Sequence, residues 1–132
     1  MTRFVIDAPT LLQVVADGVA VAPAHQLVAP QVLRSQALDL LYDAVRRGDL
    51  SEEAALGRHE AMTGVTVRLL GDRVSRRTAW RIAREHGLSS TVEAEYLALT
   101  RLQADAFVTV DPETRSRAEG VVPLGTLQQL SA

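Results

Sequence analysis

Residues Arg3 to Ile6 form a short apolar run that stops at an acid, Asp7, and Ala8-Pro9 follow at once. Near the other end of the chain the pattern returns: Ala106 to Val110 is apolar apart from Thr109 and stops at Asp111-Pro112. Runs this short and this apolar suit strands buried on both faces, as in a parallel sheet. A proline in the first turn after such a strand suits a helix start, where its missing N–H would have had no partner. A parallel sheet needs crossover segments between its strands, and helices supply them. The expected fold is therefore a three-layer α/β/α sandwich around a parallel sheet.

The rest of the chain alternates accordingly. A first helix carries Leu11, Leu12, Val14 and Val15, and a small-residue connection runs from Gly18 to Gln26. Leu27 to Ala29 is a short buried strand, and Pro30 opens a long amphipathic helix with Val32, Leu33, Leu38, Leu41, Tyr42 and Val45 on its apolar face. Gly48 ends it, after Arg46 and Arg47 in the last turn, where cations are favoured. Ser51 caps the next helix, which runs to about Met62 and stops at Gly64. Val65 to Leu70 alternates as a half-buried strand or an extended lead-in. Asp72 caps a helix from Arg73 to His86, and Ser89 or Ser90 caps one from Thr91 to about Gln103. A polar helix from Glu113 to Glu119 precedes a last strand, Val121 to Leu124, which Pro123 places at an edge or an end. There is no internal repeat and no linker, so residues 1–132 read as one domain.

Composition narrows the chemistry. The chain has no cysteine, which excludes disulfides and thiolate metal sites. A net charge of −2 gives no global attraction to nucleic acid. No apolar run approaches the roughly 20 residues of a membrane span. The N-terminus enters a strand directly, with no signal peptide, so a cytoplasmic location is expected. Every basic residue apart from the three histidines is arginine. A phosphate-binding surface would therefore be built from planar guanidinium groups.

Parallel strands point the same way, so Asp7 and Asp111 should arrive at the same edge. That carboxyl edge is where ligands collect in open α/β sheets. Thr109 should point to the same side of its strand as Asp111. Two aspartates and a hydroxyl together match the oxygen donors that Mg²⁺ or Mn²⁺ prefers. The alternative is purely structural: Asp7 caps the first helix, and Asp111-Pro112 starts a turn.

With these residues in place, the chain resembles the PIN-domain family, of the kind found as the ribonuclease toxin (VapC-like) of bacterial VapBC toxin–antitoxin pairs. Phe4-Val5-Ile6-Asp7 resembles the family's opening strand and first acid. Val28-Ala29-Pro30 with its long helix resembles the second segment. Thr91 to Leu99 resembles a helix that usually begins Tyr-Asp-Ala, and Phe107-Val108-Thr109-Val110-Asp111 resembles the Thr-x-Asp strand end. The resemblance implies an Mg²⁺- or Mn²⁺-dependent endoribonuclease that hydrolyses RNA phosphodiesters, forms a homodimer and is silenced by a cognate antitoxin. Asp7, Glu93 and Asp111 would be its catalytic and metal-binding acids, with Thr109 orienting a ligand or water.

Two departures bear on that reading. The family's usual Glu on the long helix is Gln36 here, which cannot supply anionic charge; Asp39, one turn on, would substitute only in part. The usual Asp of the next motif is Glu93, which also fits a capping box with Ser90. The charge-poor site leaves a second reading open: a PIN-like module that binds RNA or a protein partner without cutting. A response-regulator-like phosphoacceptor is disfavoured, because the chain has no lysine to contact a phosphoryl group.

The remaining candidates are weaker. Arg73, Arg77, Arg81 and Arg84 form a stripe on one helix that either meets RNA phosphates or is simply solvated. Trp80 is expected in the core, and Tyr42 and Tyr96 in the core or a dimer contact. His25, His59 and His86 show no metal spacing.

Overall fold

The computed structural model describes residues 1–132. Its centre is a four-stranded, wholly parallel sheet. The strands are β1 (Thr2–Ile6), β2 (His25–Pro30), β3 (Arg68–Leu70) and β4 (Ala106–Val108). Around the sheet lie helices α1 (Ala8–Asp17), α2 (Leu33–Arg46), α3 (Glu52–Thr63), α4 (Arg73–His86), α5 (Thr91–Gln103) and α6 (Pro112–Ala118). A 3₁₀ turn, Leu127–Ser131, finishes the chain. The protein is thus the three-layer α/β/α sandwich that the strand–helix alternation implies.

Strand order is β3-β2-β1-β4. The chain leaves β1 toward β2 on one side and returns to it through β4 on the other. The carboxyl end of β1 is therefore the point where the winding reverses and a crevice opens. Asp7 follows β1 at that point.

The core is one cluster of 25 buried residues built from both faces of the sheet. Val5, Ile6, Val28 and Phe107 are wholly buried, which is why the central strands read as continuous apolar runs. Phe107 also lies beside Tyr96 of α5, ring centroids 6.3 Å apart. Phe107→Ala is expected to lower unfolding stability by about 3–5 kcal/mol, measured by urea denaturation, because it leaves a cavity between the sheet and α5.

Several boundaries differ from the sequence reading, each for a local reason. Pro30 does not open the long helix; it pairs with Leu70 as the last residue of β2, and the helix starts at Leu33. The buried stripe of α2 is Leu33, Ala37 and Leu41, while Leu38 and Tyr42 face outward. Steps of three and four residues fitted two stripes on that helix, and burial chose the one containing an alanine. Strand β4 stops at Val108 because the Val110 N–H donates to the Thr10 hydroxyl instead of a neighbouring strand. Val121 to Leu124 is not a strand but a single parallel bridge, Phe107 with Leu124. Only Arg68–Leu70 of the stretch from Val65 is strand.

The C-terminal segment closes the free edge of β4. Phe107 N–H donates to the Pro123 carbonyl, and Gly125 N–H donates to the Phe107 carbonyl, both at 2.9 Å. Gly125 suits this close approach: a Cβ there would sit 3.0 Å from Gln129 Oε1, 3.1 Å from Val108 Cγ2 and 3.3 Å from Phe4 Cε1, so these side chains would have to give way by a few tenths of an ångström. Trp80, expected in the core, is 63% exposed on α4.

Candidate functional site

A cleft of about 290 Å³ opens at the carboxyl end of β1. Asp7 lies at its base, with Gln36, Asp39, Ser90, Glu93, Tyr96 and Thr114 around it. Four of the residues singled out in the sequence thus meet there: Asp7, Gln36, Asp39 and Glu93.

Asp7 is held from two sides. One oxygen accepts from the Thr10 N–H at 3.2 Å and from the Thr10 hydroxyl; the other accepts from the Thr109 hydroxyl at 2.7 Å. It is the N-cap of α1 as well as the base of the cleft, so the structural and functional readings both apply. The carboxylate is buried, and no basic side chain pairs with it. Burial raises its pKa, and the hydrogen bonds from Thr10 and Thr109 offset only part of that effect. A desolvated acid with no counter-charge favours a cation beside it.

Thr109 and Thr10 stitch two turns together. Thr109 Oγ1 donates to Asp7 and accepts from the Asp111 N–H at 3.2 Å; Thr10 Oγ1 donates to Asp7 and accepts from the Val110 N–H at 3.1 Å. Thr109 therefore holds one oxygen of Asp7 in place. Thr10 has the same role and was missed, although its place three residues after a capping Asp is a readable signal.

Asp111 does not line the cleft. Its carboxylate turns into its own helix, accepting from the Thr114 N–H at 3.1 Å and the Thr114 hydroxyl at 2.6 Å as the N-cap of α6. The turn-starter reading holds for it, and Thr114 faces the cleft in its place. These two bonds, chiefly the one from the Thr114 hydroxyl, hold the Asp111 carboxyl below its usual range. An acid with a lowered folded-state pKa adds stability above its unfolded value of 3.8 and loses it as pH falls. Asp111→Ala is expected to cost about 1 kcal/mol at neutral pH. The gap to the parent should shrink in acid, read as thermal melts between pH 7 and pH 3.

Glu93 is engaged by a residue that the sequence did not flag. Arg117 of α6 donates Nε to both carboxylate oxygens, at 3.1 and 3.0 Å, and Nη2 to Oε1 at 2.8 Å. The capping box with Ser90 does not form; Ser90 Oγ accepts from the Val92 N–H instead. Gln36 Oε1 accepts from the Tyr96 hydroxyl. Tyr96 is buried, and burial, then the charges of Asp7 and Glu95, push its pKa well above the ordinary phenol value, so it remains a neutral donor. Its side chain belongs to the core, as expected, and also to the cleft wall.

The donor set fits a divalent ion only in part. No three His, Cys, Asp or Glu side chains lie close enough to cage a metal. Mg²⁺, however, is commonly held by one or two carboxylates, with water and a substrate phosphate completing its shell. Asp7 meets that need directly. Glu93, on the same cleft, is held by Arg117, and Asp39 stands exposed at the rim. Arg73, Arg77, Arg81 and Arg84 lie on the exposed side of α4 and do not line the cleft.

Fold and site together define an α/β/α sandwich with a buried, uncompensated acid at the winding reversal of its sheet. No family model matches the sequence, and none of the curated proteins matches it. Among solved structures, the fold is similar to that of PAE2754 from Pyrobaculum aerophilum. The two align with a TM-score of 0.70 over 98% of this chain and 93% of that one, at 19% identity. At that identity the likeness is one of fold. No helix is long and apolar enough to cross a membrane.

Proposed function

We propose that this chain is a PIN-like, VapC-type ribonuclease that hydrolyses RNA phosphodiesters with Mg²⁺ or Mn²⁺ in the cleft above Asp7. The observation that carries the reading is Asp7 itself: a buried carboxylate without a cationic partner, at the base of a cleft that Asp39 and Glu93 also line. When bound, the metal would polarise the phosphate and activate a water. The chain's own part is to hold Asp7 rigid through Thr10 and Thr109, to keep Tyr96 protonated as a hydrogen-bond donor, and to offer Glu93 when Arg117 releases it.

The resemblance adds partners to the proposal: a cognate antitoxin, a second copy of the chain and a cytoplasmic setting. Leu38 and Tyr42, one turn apart and exposed on α2, are side chains that a homodimer would bury.

A second reading rests on Arg117. With Glu93 in a bidentate pair and Gln36 neutral, Asp7 and Asp39 are the cleft carboxylates left without a basic partner, fewer than the resemblance implies. The protein would then be a binding module for RNA or a partner protein. Incubation of purified protein with RNA in millimolar Mg²⁺ or Mn²⁺, against the same reaction in chelator, separates the two. Metal-dependent cleavage with metal-induced thermal stabilisation supports the nuclease; absence of both supports the binding module.

A further inference from the structure

Helix α4 carries five arginines, Arg73, Arg76, Arg77, Arg81 and Arg84, and a single acid, Glu85. Ser75, Thr78, Ala79, Ile82 and Ala83 form its buried side. All five arginines lie on the exposed side, and none is in an ion pair with the rest of the protein. On a helical projection Trp80 falls among them: Arg73 and Arg76 lie two turns and one turn before it, Arg77 three residues before, and Arg84 one turn after. Trp80 is 63% exposed and is the only tryptophan in the chain. The whole protein carries −2, so this basic face is a local reversal of the overall sign.

A solvated helix face explains scattered arginines. It does not explain an indole left in water at the centre of them. We infer that this face of α4 docks single-stranded nucleic acid, with Trp80 as the stacking platform for a base and the flanking guanidinium groups on the phosphates. Single strands expose the base faces that an aromatic side chain stacks on, whereas a duplex hides them. Arginine suits both parts, since its guanidinium pairs with phosphate and also stacks. The helix ends at His86, and only Gly87 to Ser89 separate it in sequence from Ser90 on the cleft rim. A strand lying on α4 would lead toward Asp7. The inference rests on α4 alone and stands whether or not the cleft cleaves.

The sole tryptophan makes the test direct. In chelator, so that no metal-dependent cleavage occurs, a 12-residue oligouridine is titrated into the protein while tryptophan emission is followed. Emission should be quenched on binding, and log affinity should fall with log salt at a slope of about −2 to −3, as for three or four phosphates neutralised on a single strand. With a fluorescein-labelled oligomer read by anisotropy, Trp80→Ala should weaken binding about tenfold or more. Trp80→Phe should restore most of it, and Arg77→Glu with Arg81→Glu should weaken it further. Melting temperatures of these surface variants should match the parent. The inference is overturned by the absence of quenching at 50 mM salt, by equal affinity of Trp80→Ala and parent, or by a duplex of the same length binding as tightly as the single strand. It is equally overturned if polyglutamate quenches as strongly, which would make α4 a face for acidic polypeptides.

Discussion

Asp7→Asn is expected to make the protein more heat-resistant in chelator while removing its response to metal. Asn keeps the cap on α1 and can still bond Thr10 and Thr109, so the local geometry survives. What disappears is the cost of a desolvated charge. The sign follows from the direction of the shift. An acid whose folded-state pKa is raised binds more protons folded than unfolded, so it subtracts stability as pH rises above the ordinary value of 3.8. At pH 7 the mutant should therefore melt a few degrees above the parent, and the two should converge below pH 3.8. Adding Mn²⁺ should raise the parent's melting temperature, since a ligand at a hundred times its Kd stabilises by about 2.7 kcal/mol. The mutant should not respond. RNA cleavage should fall by about 10²–10³-fold, the size of losing one preorganised electrostatic contact. A mutant that melts lower than the parent in chelator would mean that Asp7 serves α1 more than the cleft.

Gln36→Glu should shift metal affinity in the opposite direction. The new carboxylate would accept the Tyr96 hydroxyl as Gln36 does now and would bring a further negative charge to the cleft. Unit charges about 4 Å apart interact by about 4 kcal/mol at an effective dielectric of about 20, before desolvation. If a third of that survives, metal binds about tenfold more tightly. Without metal, the same charge repels Asp7 and Asp39. The expected signature is a crossover: a lower melting temperature in chelator and a larger gain on adding Mn²⁺, with affinity read by titration calorimetry. Equal affinity in the two proteins would remove residue 36 from the metal's neighbourhood. Arg117→Gln should tighten metal binding by another route, by freeing Glu93.

The layered fold was legible because β1 and β4 are buried on both faces, and that burial leaves an unbroken apolar run that few other structures produce. Asp7 was legible because it ends such a run. The outward face of Trp80 was not. On α4, small residues such as Ala79 and Ala83 make up much of the buried side, and nothing in the spacing says that the largest apolar side chain is left out. Arg117 was invisible for a different reason. Its partner lies 24 residues away on another helix, and a guanidinium in a polar helix reads as surface. Asp111 shows the limit of strand polarity as a guide: the right edge of the sheet fixes where a carboxylate begins, but two bonds to Thr114 decide where it points.

The middle position of β1 has a consequence for how the molecule comes into being. Its first neighbour, β2, follows after fewer than thirty residues, but its second, β4, is about a hundred residues downstream. Ribosomes add about 5–20 residues per second, so β1 waits on the order of ten seconds with one side unpaired. Asp7 shares that wait, because the hydroxyl that fixes its outer oxygen belongs to Thr109. A nascent chain stalled before that point carries the acid without the hydroxyl that holds its second oxygen. The acid at the base of the cleft is therefore fixed on both sides only once the chain has been made as far as β4 and Thr109.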